Sequence, residues 1–589
     1  ELWWVCGLLF CHLVSCFSMA VVTGALQGTA MMSWADPMSA NLSDEIAWAL
    51  HSEDVATLIS GLHHLSCLGG NVRMHSRRVS NLLHHRSVEV RVAACCALQD
   101  LDSGGSMFAE DVRHLLRGQP SERQAALGAL CAFGDAAVPY ASDVASLLED
   151  TDVDVRCAAL QAAGSMRVAS LLPGVERCLS DASPEVVGNA CLALGTWERG
   201  AAVRERLVEE QIIQTIAEQL ESGRTRQAAA TALASLGEEA VAAHAKMIAQ
   251  VCLADPDFDV RQQGLTALST LTAARADDQE LLDVVVSLLQ HEEVRVRCAA
   301  ALALAHCGEN AKHHLSELRP LLDDGAEDTS WLTLSLGGVR PKVPAQFRKT
   351  RCAACFALGQ IGEVGLTMMG LLLGFLEHDD WEVRSCAFDA LGSVPAGKYE
   401  ADIISRGLLD TNYVVRARAC EALGKHRAAE QADELMERLE DSSLSVRCSA
   451  LWALGEMGQS AAVAGPKVVA SLRDSTNIVR VSAVKALARL GVSGCYAGVL
   501  VDMLHDQDVE VQCEAIEALG SMGPYALAYI EELADFLNNP VPTLRAIAAQ
   551  ALGKMGHKAL SYVSALRALQ DDQDTEVSVA VKVALLAIE

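Results

Sequence analysis

The sequence predicts an all-α protein, a right-handed α-solenoid of about 15–16 two-helix repeats. Two observations predict it. One helical pattern returns about every 32 residues over almost the whole 589-residue chain. Apolar residues make up 51% of the chain but aromatics only 4%, and most of the apolar content is Ala, Leu and Val. That composition is thin for a set of separate large cores and suits helices packed closely through small side chains. The net charge of −29 and a pI near 5.0 argue against a nucleic-acid partner, because neutralising phosphates needs clustered Lys and Arg.

The first 44 residues stand outside the pattern. Leu2 to Leu26 carries no charge and is long enough to cross a bilayer. Three readings stay open: a signal peptide or membrane anchor, a capping helix, or an over-extended reading frame whose true start is Met19.

Repeats are expected over 45–321 and 349–589. The unit reads DTDVDVRCAALQAAG from Asp150, DSSLSVRCSALWALGEMG from Asp441 and DQDVEVQCEAIEALGSMG from Asp506. We call the Val before the Arg the anchor; it stands at Val155, Val446 and Val511 in these three. Fifteen anchor slots can be placed from Val90 to Val577, and a degenerate sixteenth unit is expected around Leu58. Neither helix of such a unit can bury its apolar stripe alone, so neighbours must stack into one core. In the second helix, positions four, seven and eight after the anchor are commonly Ala, Ala and Leu, as in Ala450, Ala453 and Leu454. They share one helical face. The Gly that follows, at Gly359, Gly424, Gly455, Gly520 and Gly553, is expected at a helix C-terminus with positive φ.

An Arg follows the anchor in 12 of the 15 units, and an Asp often precedes it by five. Asp suits a turn that caps the next helix, and Arg can bridge to such a carboxylate in its own or the next unit. A structural ladder is therefore expected through Asp150, Arg156, Asp255, Arg261, Asp410, Arg416, Asp441, Arg447, Asp474 and Arg480. As exposed pairs, each would contribute only about 0–1 kcal/mol.

The motif D-x4-V-R-x2-A-x2-A-L-G resembles HEAT repeats, specifically the short type of phycobilisome-lyase-like proteins. The resemblance covers residues 45–589 and implies an armadillo- or HEAT-like superhelix whose second helices line the concave side. It says little of function, since such arrays serve many roles.

The spacing from Val296 to Thr350 is 54 residues, which places an inserted loop over 322–348. Its end is basic, with Arg340, Lys342, Arg348, Lys349 and Arg351. Both a spacer and a partner-binding loop fit, as insertions in repeat arrays map to one face.

The 20 Cys follow the repeat, not a disulfide spacing, so they read as small hydrophobes in a reducing, cytoplasmic setting. Cys352 and Cys355 form a CxxC expected to pack inside a helix. His85, His291 and His378 occupy the turn-Asp slot and read as turn residues. Deoxyhypusine hydroxylase, a HEAT-like enzyme, carries His-Glu iron ligands after the repeat Arg. Here those slots hold Cys352-Ala353, Ser385-Cys386, Ala417-Arg418 and Cys448-Ser449, and the one His-Glu is His291-Glu292. No P-loop, GxSxG or HExxH occurs. The expectation is a non-enzyme with no catalytic, cofactor-binding or metal residues. A hydroxylase-like or bilin-lyase-like enzyme is the alternative.

The position six after the anchor should face outward from the second helix. That row is heterogeneous: Gln161, Leu192, Thr231, Thr266, Leu302, Phe356, Asp389, Glu421, Trp452, Lys485, Glu517 and Gln550. Phe356 and Trp452 are candidate binding aromatics, with local packing against a neighbouring helix as the other reading. Asp389, Glu421 and Glu517 would make the surroundings acidic. The expected role is a scaffold or adaptor that takes a basic segment of a protein partner. A membrane partner is expected only if residues 2–26 are a genuine anchor.

Overall fold

The computed structural model describes residues 46, 48–68, 75–100, 106–197, 210–272, 278–328, 344–362, 366–394, 398–490 and 495–588. The N-terminal apolar segment and the centre of the insertion, including Arg340 and Lys342, lie outside the described residues. Among the described residues every regular element is helical, apart from one isolated β-bridge. The chain is an all-α solenoid.

Most repeats pair a short first helix with a longer second helix; the 15-residue first helix Glu238–Cys252 is an exception. The second helices are α1 (Val88–Gln99), α2 (Pro120–Phe133), α3 (Val153–Met166), α4 (Pro184–Thr196), α5 (Arg226–Leu236), α6 (Phe258–Leu268), α7 (Val294–His306), α8 (Thr350–Ile361), α9 (Trp381–Ser393), α10 (Tyr413–Lys425), α11 (Leu444–Met457), α12 (Asn477–Arg489), α13 (Val509–Ser521), α14 (Pro542–Met555) and α15 (Thr575–Ile588). Contacts divide the chain into two compact units, residues 1–140 and 141–589. In the first, the helix Val55–Leu68 packs on α1 and α1 on α2; Leu58 is buried there. In the second, every helix from α3 to α15 packs on the next.

The repeated Ala and Leu make this core. Ala450, Ala453 and Leu454 are fully buried, as are Ala515 and Leu519 in α13. The glycines named above play a different part from the one expected. They lie inside the helices, and at all but Gly455 the next helix comes so close that a side chain would not fit. A Cβ at Gly424 would meet Ala453 Cα at 2.7 Å, and one at Gly520 would meet Ala551 Cα at 2.7 Å. The positive-φ caps come three residues later, at Gly362, Gly458, Gly523 and Gly556. Small-on-small contact sets the inter-helix distance, and a separate glycine turns the chain.

The turns before α10, α11, α12 and α13 follow one design. Asp410, Asp441, Asp474 and Asp506 each accept the N–H two residues on, at 2.8–2.9 Å. The helix cap is that next residue, as with Asn412 and Asp508, which accept the N–H two further on. The turn Asp therefore folds the turn and leaves capping to its neighbour. His291 and His378 stand in for it, each accepting the same N–H through Nδ1.

The Arg–Asp ladder exists and runs between units. Arg416 donates bidentately to Asp441 at 2.8 and 2.8 Å, Arg480 to Asp506 at 2.8 and 2.8 Å, and Arg384 to Asp410 at 2.7 and 2.9 Å. Arg447 reaches Asp474 at 2.8 Å and Arg156 reaches Asp181 at 2.9 Å. Within its own unit the Arg donates through Nη1 to the Asp backbone carbonyl, as in Arg156 to Asp150, Arg261 to Asp255 and Arg416 to Asp410, at 2.8–2.9 Å. Asp255 takes Arg226 from the preceding unit, and the Arg261 guanidinium lies 5.8 Å from the Phe258 ring centroid. These pairs are largely buried (Arg416 13% and Asp441 5% exposed), so the small surface value expected for them does not apply.

At the insertion, Glu327 and Lys349 form the isolated antiparallel bridge and close a neck. Arg348 joins Glu327 to Glu382 of α9, and Lys349 reaches Glu382 at 2.6 Å. Arg351 donates to His378 and to the Leu322 carbonyl at 3.0 Å each. The described part of the basic end is thus bound into the array.

Candidate partner-binding face

The exposed face of the second helices is built by the residues six after each anchor. Gln161, Thr266, Lys485, Glu517 and Gln550 are exposed; Thr231, Phe356, Asp389, Glu421 and Trp452 are half-buried. Leu302 departs from the outward expectation and is only 3% exposed. Around it α7 is buried from Cys298 to Ala305, with the segments Gly308–Leu318 and Ala345–Phe347 both packed on this helix. An all-Ala and Leu helix of this kind suits burial all round.

Three of the five candidate residues come together on α9, α10 and α11. Arg418 lies 2.7 Å from Glu421 and 3.5 Å from Asp389. Ser449 of α11 donates to the other Glu421 oxygen at 3.0 Å. Burial pushes the Asp389 carboxyl above its ordinary range, against the pull of Arg418 and Lys425. The Trp452 ring lies against α10: a Cβ at Gly424 would meet its Cζ3 at 2.8 Å. One edge of the ring therefore packs on the backbone, and the side chain stays half-buried next to the Arg418 cluster.

The other two stand apart. Phe356 is half-buried on α8. Glu517 is on α13, two helices past α11, and pairs with Lys554 of α14 at 2.9 Å. The carboxylates thus carry cation partners. Asp389 and Glu421 share the Arg418 guanidinium, with Lys425 also acting on Asp389, and the Glu517 pair is neutral.

Sequence reading missed Arg418 and Ser449. Arg418 is the second Arg in Arg416-Ala417-Arg418, three residues before Glu421, and that spacing puts both on one helical face. Ser449 sits at the position three after the anchor, the slot Arg418 fills in α10. Reading that row as well as the neighbouring one would have exposed the cluster.

Among the described residues no group of three or more His, Cys, Asp or Glu is placed to hold a metal ion. Cys352 and Cys355 are fully buried in α8, and burial pushes the Cys355 thiol far up. A pocket of about 100 Å³ at the insertion neck is lined by Asp324, Glu327, Lys349, Arg351, His378 and Asp380. Asp324 takes Arg297 at 2.8 Å, and the other charged groups pair across the neck.

HEAT repeats match residues 245–337, 401–488 and 497–585. No curated protein matches the chain in sequence. Among solved structures, yeast importin-beta (Kap95p) superposes with a TM-score of 0.59 at 13% identity, covering 93% of this chain and 87% of that one. Importin beta crystallised in ammonium sulfate gives 0.57 at 15% identity, covering 93% and 82%. The karyopherin Kap121p bound to the extreme C-terminus of the protein phosphatase Cdc14p gives 0.56 at 13%, covering 93% and 69%. At these identities the likeness is one of fold.

Proposed function

We propose that this HEAT-repeat solenoid is a non-enzymatic scaffold or adaptor that holds a protein partner on the exposed face of its second helices. The contact is centred on Asp389, Arg418, Glu421, Ser449 and Trp452. The observation that carries this reading is the Trp452 ring, held against the α10 backbone beside the polar cluster of Asp389, Arg418, Glu421 and Ser449. A fixed aromatic ringed by polar groups is the usual make-up of a binding hot spot. Kap95p in complex with Nup1 and Kap121p with Cdc14p support the role, being solenoids of this fold that hold proteins. The partner presents a basic segment, since the chain carries a net charge of −29. The 31–33-residue spacing of most anchors supports the short phycobilisome-lyase-like subtype. Thiols at helix-packing positions support a cytoplasmic setting.

Affinity capture from native lysate with residues 45–589, washed at low and high salt, tests the reading. A discrete polypeptide released by salt and lost with Trp452→Ala at unchanged melting temperature is expected. Unchanged capture removes Trp452 from the site. About two irons per chain with no partner would put the hydroxylase-like alternative first.

A further inference from the structure

A second surface lies on the edge of the array where the turns precede the second helices. The first residue of α9, α10, α11 and α13 is large and apolar: Trp381, Tyr413, Leu444 and Val509. In α12 the second residue, Ile478, takes that part, and Leu409 lies beside Tyr413 in the preceding turn. All six are between 40% and 74% exposed. Isolated exposed apolar residues need no explanation, but a row through five consecutive repeats does.

The row is continuous from turn to turn. Asn477 at the start of α12 donates to Asp508 of the α13 turn at 2.9 Å, so neighbouring turns lie within one side chain of each other. The charge around the row is one-sided. Arg384, Arg416, Arg447 and Arg480 are taken up by the ladder. Glu377, Asp379, Glu440 and Glu510 are exposed in these turns, against two exposed arginines, Arg406 and Arg473.

The spacing selects the shape of what covers it. Packed helices stand about 8–10 Å apart. A polyproline II chain has three residues per turn and rises about 3.1 Å per residue. Every third side chain then falls on one face at about 9 Å intervals, in step with the row. A β-strand puts residues three apart on opposite faces and cannot keep that step.

We infer that the edge from Trp381 to Val509 is a docking surface for an extended, polyproline II-like segment of a protein partner, with a large apolar residue at every third position and Lys or Arg between. Exposed Trp and Tyr suit this conformation, which aromatic-lined surfaces recognise at low entropic cost. The surface is separate from the Trp452 face and does not depend on it.

The test is fluorescence anisotropy of a labelled (Leu-Pro-Lys)5 peptide with the full chain. Binding is expected to weaken at least tenfold in Tyr413→Ser/Leu444→Ser and in Leu409→Ser, each with unchanged circular dichroism. It is expected to weaken at least tenfold when one Gly per repeat shifts the peptide to a period of four. No binding by the wild-type chain overturns the inference. Equal binding by the period-four peptide also does, since net charge would then be the cause. Loss in Trp452→Ala with retention in the edge variants assigns the peptide to the other face and overturns it as well. So does a concentration-dependent dimer that the edge variants abolish, because the occupant would then be a second copy.

Discussion

Arg416 and Asp441 show what one repeated residue contributes. The guanidinium spends two donors on the next unit's carboxylate and one on its own turn's carbonyl, so a single side chain ties three segments together. Removing either partner leaves a largely buried charge alone, and Arg416→Ala or Asp441→Ala is expected to destabilise by about 2–3 kcal/mol. The double variant should cost less than the sum of the two in chemical denaturation; strict additivity would mean that the pair is not coupled. The glycines offer a second comparison. Gly424→Ala drives a methyl into Ala453 and Trp452 and should lower stability by about 1–3 kcal/mol. Gly370→Ala, in the helix Leu366–Phe375 with no atom within 4 Å of the new methyl, should raise it by about 0.5–1 kcal/mol. Thermal melting of the two variants should move in opposite directions. Gly424 fills the repeat's Ala-Leu-Gly slot and Gly370 does not, and the distance to the next helix is what gives the two opposite signs.

At the scale of elements, the insertion is anchored by its neck. The bridge between Glu327 and Lys349, the Asp328 N–H bond to Arg348 at 2.7 Å and the Thr350 hydroxyl bond to Asp324 at 2.7 Å close it without help from its centre. Replacing residues 329–343 by a short Gly-Ser link is expected to leave the melting temperature within about 2 °C, because a shorter loop changes closure entropy only slowly. Arg348→Met in the intact chain is expected to lower it, since Glu327 and Glu382 lose one of the two cations they share, keeping only Lys349. The reverse ranking would show that the centre of the loop carries the stability. The basic run ending at Arg351 read as a possible partner site, yet Arg348, Lys349 and Arg351 are bound to α9 and its turn. Sequence patterning could not show this, because the carboxylates involved lie more than twenty residues away.

At the scale of the molecule, the ladder makes stability depend on acid. The Arg480 bond holds the Asp506 carboxyl below its usual range, against burial, and the Arg545 bond does the same for Asp572. For Asp410 and Asp441, burial pushes upward but the Arg bond and a backbone N–H outweigh it. A carboxyl depressed in the folded state stabilises above its unfolded value and loses that contribution as pH falls through the folded one. Melting temperature is therefore expected to be flat at neutral pH and to fall cooperatively below about pH 4. Asp389 and Asp259, raised by burial, work with the opposite sign but are two groups against many. A melting temperature that rises on acidification would mean that the buried pairs are not the controlling charges.

The repeat period, the all-helical class, the stacked Ala and Leu core and the Arg–Asp ladder were legible in the sequence because each rests on local periodicity and residue chemistry. A 3.6-residue pattern that returns every 32 residues leaves few other ways to bury its faces. Which unit's Asp each Arg takes, why Gly424 must be glycine, that Arg418 and Ser449 complete the Asp389–Glu421 cluster, and that Trp381 through Val509 align on one edge were decided by tertiary structure alone. All four depend on how far apart and at what register neighbouring repeats stack, a distance set by side chains from two units together and encoded in neither one separately.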